Sequence, residues 1–123
     1  MKSGADIAKF LMQLQVQFKI CHWQTMSYAQ HQAFGMVYDT LDGLTDEFME
    51  VFMGKYGRFD LMEGCSLPIT NYDQGGLEPF LDSAIVSLNN LSGLLTENDS
   101  DLLNIRDEML ASINKLKYLL TLK

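Results

Sequence analysis

An all-α four-helix bundle is the fold this sequence predicts, and three observations point to it. Apolar residues recur every three or four positions through four separate stretches of the chain. Only two prolines stand against eight methionines and seven phenylalanines, a balance that suits a helical core better than a sheet with many turns. A stretch punctuated by glycine and proline, residues 54–76, parts the first two helical segments from the last two, and it is long enough to travel along a bundle. With 123 residues the chain reads as a single domain, 1–123, built on one core.

In the first segment Ile7, Leu11, Leu14, Phe18 and Cys21 form one apolar stripe. Ser3-Gly4-Ala5-Asp6 resembles a capping box at its start, and the helix should run to about Gln24 or Thr25. A second helix should begin at Ser27, with Gln30 at its third position, and continue to about Met53, before Gly54 and Gly57. Phe34, Val37, Tyr38, Leu41, Phe48 and Phe52 share one side of it. Asp39, Asp42, Asp46 and Glu50 fall in the adjoining sector, with His31 at the boundary, so the acidic stripe borders the apolar face. Gly35 and Gly43 each lower helix propensity by about 1 kcal/mol relative to alanine, and such a glycine can let another backbone approach closely.

The connection 54–76 has room for one helical turn around Phe59 to Glu63. The third helix should start near Leu77, with Pro79 tolerated in its first turn and Leu81, Ala84, Ile85, Leu88, Leu91 and Leu95 as its apolar face. TENDSD then supplies a turn in which Asn98 or Asp99 is a plausible cap. In the last helix Leu102, Ile105, Met109, Ile113, Leu116 and Leu120 keep the period, and Lys115, Lys117 and Lys123 complement its dipole.

Composition excludes several functions. A formal net charge of −7 repels phosphate backbones, and the cluster GKYGR is too small to be a nucleic-acid footprint. Cys21 and Cys65 are too few for a disulfide framework and lack zinc-finger spacing. There is no run of roughly 18 apolar residues to span a membrane and no apolar signal core at the start, so a cytoplasmic protein is expected. Glycine-rich phosphate loops, serine elbows and CxxC pairs are absent from the sequence.

What remains is a line of potential metal ligands: His22, His31, Asp46 and Glu50. Read singly, His22 is an ordinary core histidine, His31 a surface residue and the carboxylates a solvated helix face. Together they look different. The only two histidines of the chain both fall where the first helix hands over to the second, and Asp46 and Glu50, four apart, share a helix face. Two imidazoles with two carboxylates make a nitrogen and oxygen set suited to iron, manganese or zinc. His31 and Asp46 are fifteen residues apart, on the order of 22 Å along a helix. One ion cannot touch both in one chain, so a shared site needs a second subunit.

The segment HWQTMSYAQHQAFGMVYDTLDGLTDEFME resembles the helix A to helix B region of the Dps branch of the ferritin-like superfamily. His22-Trp23 matches the first element of that pattern, His31 the second, and Asp46 with Glu50 its Asp-x-x-x-Glu. The resemblance implies a ferritin-like four-helix bundle with a long connection between helices 2 and 3. It also implies a homo-oligomer, a twofold dimer or larger, with a ferroxidase centre between subunits whose cargo is iron. The Asp expected four residues after His31 is Gly35, which removes a ligand, so activity should be weak or vestigial, and Gly35→Asp should restore it. The family's basic N-terminal tail is missing, so DNA binding does not carry over. HWQT, SYAxH, DEF and GKYGR together look more like short proteins encoded by tailed bacteriophages, which implies an infected host's cytoplasm and brings no established activity. The competing reading is a metal-free helical scaffold or interaction protein of phage origin.

Overall fold

The computed structural model describes residues 4–123, which leaves Ser3 and its capping box outside the described residues. Four α-helices are present among them: α1 (Gly4–Gln24), α2 (Tyr28–Tyr56), α3 (Leu77–Asn90) and α4 (Ser100–Leu119). No helix among the described residues is long and apolar enough to cross a membrane.

Side-chain pairings give the direction of each helix. Lys55 at the end of α2 meets Asp101 at the start of α4, so these two run antiparallel. Lys117 late in α4 meets Asp82 early in α3, so α3 runs with α2. The long connection must therefore climb the full height of the bundle, and α1 guides it. Gln13, Gln17 and Gln24 lie on one face of α1. Gln13 donates to the Pro68 carbonyl; Gln17 donates to the Thr70 carbonyl and accepts from the Thr70 N–H; Gln24 donates to the Asn71 side chain and accepts from the Tyr72 N–H.

The apolar stripes meet as their periodicity demands. Ile7, Leu11, Leu14, Phe18 and Cys21 are buried against Phe34, Val37, Leu41, Phe48 and Phe52 of α2, and Leu102, Ile105, Met109, Ile113 and Leu116 close the core from α4. Tyr38 is only half-buried, because it leans out beneath the Lys19 ammonium, 4.5 Å from its ring centroid.

Local endings differ from the sequence expectation in four places. α2 continues one turn beyond Met53, to Tyr56, and stops at Gly57, whose φ of 88° only glycine adopts freely. Residues 59–63 form no helical turn, and a turn instead closes from the Met62 carbonyl to the Cys65 N–H. α3 ends at Asn90, so Leu91 and Leu95 are buried from a short 3-10 turn and the loop after it. Arg106 of α4 braces that end by donating to the Leu88 and Asn89 carbonyls, which the Leu91 N–H also meets, and to the Ser92 hydroxyl. Finally, Asp99 stands at the N-cap position of α4 as expected, but its side chain makes no cap bond there and instead partners Thr96 in the capping box of the preceding 3-10 turn, Glu97–Asp99.

Asp99 is fully buried. Burial opposes its ionisation, yet the Thr96 backbone N–H, the Tyr56 hydroxyl and the Lys55 ammonium overcome this and hold its carboxyl well below the usual carboxylate range. A depressed folded-state pKa gives stability that is complete above the unfolded value, about 3.9, and is lost as pH falls through the folded one. Asp99→Asn should therefore be less stable than wild type at pH 7, and the gap should narrow steadily below about pH 4. Urea unfolding at pH 7 and pH 3 measures it; a gap of equal size at both would rule out the buried carboxylate as its source.

Candidate metal centre

Three residues, 25–27, join α1 to α2. The Thr25 N–H closes the end of α1 on the Cys21 carbonyl, and the Ser27 hydroxyl caps α2 by accepting from the Gln30 N–H. The Thr25 hydroxyl donates to the Gln30 side chain across the turn. So short a link folds the last turn of α1 against the first turn of α2, and it sets His22 beside His31.

The two imidazoles stack, with centroids 3.8 Å apart and planes inclined by 17°. Each Nδ1 also bonds to the other residue's backbone: His22 Nδ1 to the His31 carbonyl at 2.7 Å, and His31 Nδ1 to the His22 carbonyl at 2.8 Å. The second of these satisfies one of the carbonyls a helix end leaves without a partner. A carbonyl oxygen only accepts, so both Nδ1 atoms carry the hydrogen and, in the neutral rings, both Nε2 atoms keep a lone pair. Anchoring one ring nitrogen on a carbonyl while the other stays basic is how metal-binding histidines are usually held.

Gly35 has a structural reason to be glycine. A Cβ there would lie 3.0 Å from His22 Cε1 and 3.1 Å from His22 Nδ1. By sequence this position is a lost ligand; in the fold it seats the His22 ring. Gly35→Asp therefore does not simply add a carboxylate, because the first carbon of any side chain presses on the ring. We expect both Gly35→Ala and Gly35→Asp to displace His22 by a few tenths of an ångström or more and to weaken the stack. Imidazole NMR signals unchanged from wild type in Gly35→Ala would show that the ring does not need the space.

Of the four expected ligands, the structure brings His22 and His31 together. Asp46 and Glu50 are exposed farther along α2, as is Asp39, while Asp42 accepts from the Gln15 side chain at 2.7 Å. Among the described residues, no three His, Cys, Asp or Glu side chains gather as a metal group. Other partners, which the sequence does not announce, stiffen the turn. The Tyr72 hydroxyl bonds to the Gln30 and Gln74 side chains, and Gln30 also donates to Gln74. A chain of neutral amides around one tyrosine carries no spacing signal, so only the folded topology reveals it. Around the same turn Trp23 is 66% exposed, Met26 100% and Tyr28 74%.

No solved structure matches the chain. Over 48 residues the chain is 40% identical to the "Uncharacterized 14.6 kDa protein in mobD-ri intergenic region" of Enterobacteria phage T4, a match that spans 39% of this chain and 38% of that protein. Residues 22–120, from the first histidine of the pair to the end of the last helix, match DUF5856, described as a family of unknown function. The chain belongs to DUF5856.

Proposed function

We propose that this is a metal-binding bundle protein whose cargo is iron, held between two copies of the chain. His22 and His31 of one protomer face Asp46 and Glu50 of the other, in the manner of a Dps-like, ferritin-like centre. The observation that carries this reading is the histidine pair: two imidazoles fixed through Nδ1, with both Nε2 lone pairs left over. Planes inclined by only 17°, with centroids 3.8 Å apart, keep those lone pairs in two nearly parallel planes. They do not converge, so one ion cannot lie in both ring planes, and each ring serves an ion of its own unless one of them turns. Carboxylates from the facing protomer would lower the reduction potential of bound iron and favour the ferric product, while the imidazoles add no charge. With Gly35 seating His22, no carboxylate stands one turn from His31, which is why oxidation of ferrous iron should be weak at most. A phage protein of this kind would work in the host cytoplasm.

The test joins composition to assembly. Protein purified without chelator should carry iron, zinc or manganese by elemental analysis, and it should sediment as a dimer or larger. A 14 kDa species alone at micromolar concentration would sink the shared site outright.

A metal-free interaction module is the second reading. The exposure of Trp23, Met26 and Tyr28 on one turn favours it, since aromatic side chains and methionine are enriched in interface cores. Metal-free protein that ignores added ferrous iron would favour this reading over the first.

A further inference from the structure

We propose that residues 66–73 form a releasable strap that opens without unfolding of the helices, and that its closure orders the turn bearing His22 and His31. Its functional sense, regulation of the histidine pair, rests on the metal-binding reading; the strap motion does not.

The way the segment is held argues for release. Ser66, Pro68, Ile69, Thr70, Asn71 and Asp73 are exposed, and only Leu67 and Tyr72 are half-buried. No ion pair or disulfide among the described residues ties it down. What holds it is the row of neutral amides from Gln13, Gln17 and Gln24, together with the Tyr72 ring set edge-on 5.5 Å from Phe34. Segments with few buried apolar contacts and solvent-facing hydrogen bonds are the ones that open locally. Glycines flank the strap: Gly64, with φ 75°, before it, and Gly75 and Gly76 after it.

Beneath the strap lies a cavity of about 210 Å³ whose walls include Gln17, Cys21, Tyr72 and Phe80. The Cys21 thiol is buried there, which makes it a reporter of opening. Buried in the closed form, that thiol reacts slowly there.

The strap also reaches the histidines. Tyr72 and Gln74 bond to Gln30, Gln30 accepts from Thr25, and Gln24 binds both Asn71 and Tyr72. These partners, Gln24, Thr25 and Gln30, lie within the turn region between His22 and His31. Removing the strap leaves the turn with its capping bonds, the Thr25–Gln30 bond and the two histidine–carbonyl bonds, and takes away its ties to Gln24 and Gln30 from outside. Strap closure and the order of the histidine pair are therefore linked, each favouring the other.

The experiment uses the full chain with Cys65→Ser, so that Cys21 is the one thiol, and an aromatic disulfide reagent as probe. Cys21 should label under native conditions with a urea dependence much shallower than that of global unfolding. Gln17→Leu, which removes the clamp on Thr70, should label about tenfold faster with helix melting little changed. Gln24→Ala, at an exposed position, serves the same purpose should Gln17→Leu fail to fold. In Tyr72→Phe the imidazole NMR signals of His22 and His31 should shift or broaden. Labelling of Cys21 that follows global unfolding in every variant would overturn the strap. Histidine signals identical to wild type in Tyr72→Phe would overturn its link to the pair. Neither readout involves metal, so failure here and failure of the metal-binding reading are separate results.

Discussion

His31→Ala is expected to abolish the thermal stabilisation that ferrous iron or zinc gives the wild-type protein. An ion that binds only the native state adds RT ln(1 + [L]/Kd), about 2.7 kcal/mol at a hundredfold excess over Kd. For a domain of this size that is a rise on the order of 10 °C in Tm. The unliganded variant should also melt lower than wild type, by the equivalent of about 1 kcal/mol, because His31 Nδ1 satisfies the His22 carbonyl at the end of α1. Sequence position alone places His31 at the boundary of the apolar face and does not reveal this bond. The two effects can be separated with His31→Asn. Its side-chain amide can donate to the same carbonyl from the position of Nδ1 but offers nothing at the position of Nε2. His31→Asn should recover part of the unliganded stability and none of the metal-induced shift. Equal shifts in wild type and both variants would place the metal elsewhere.

The largest loss of stability is expected from Phe18→Ala, about 3–5 kcal/mol by urea unfolding. Phe18 is fully buried, stacked at 6.4 Å on Phe34 of α2 and edge-on at 5.4 Å to Phe80 of α3. Its ring joins three helices, and it lies one turn before His22 on α1. Truncation opens a void that a bundle tied by short turns cannot collapse to fill. A loss below about 1.5 kcal/mol would show that neighbouring side chains repack freely into the space.

The four helices were legible in the sequence because a helix writes its buried face at a fixed period. Ile7 through Cys21 and Leu102 through Leu116 were read from that period and are buried in the core. Ser27 was legible as a cap for a similar reason, since its partner Gln30 is three residues away. The helix ends that came out differently depend on partners remote in sequence. Nothing near Asn90 announces that Arg106, sixteen residues on, will take its neighbours' carbonyls. Nor does TENDSD show that Tyr56 and Lys55 will meet Asp99, which makes Asp99 a buried carboxylate and not a plain cap.

For the candidate site, the sequence by itself determined which side chains have metal chemistry, that both histidines flank one turn, and that Asp46 and Glu50 lie too far along α2 to join them in one chain. Those statements need only residue identity and the rise of a helix. Only the tertiary structure decided that the rings stack, that each Nδ1 is bound by the opposite backbone carbonyl, and that Gly35 makes room for His22. It also decided that Gln13, Gln17 and Gln24 hold the connection against α1, with Tyr72 linking it to the histidine turn. The physical reason is directional. Periodicity records which face of a helix avoids water, a property summed over many residues. A ring's orientation and a glycine's vacancy depend on a few atoms brought to within 3 Å or so of each other by packing, and those distances exist only once the chain has folded.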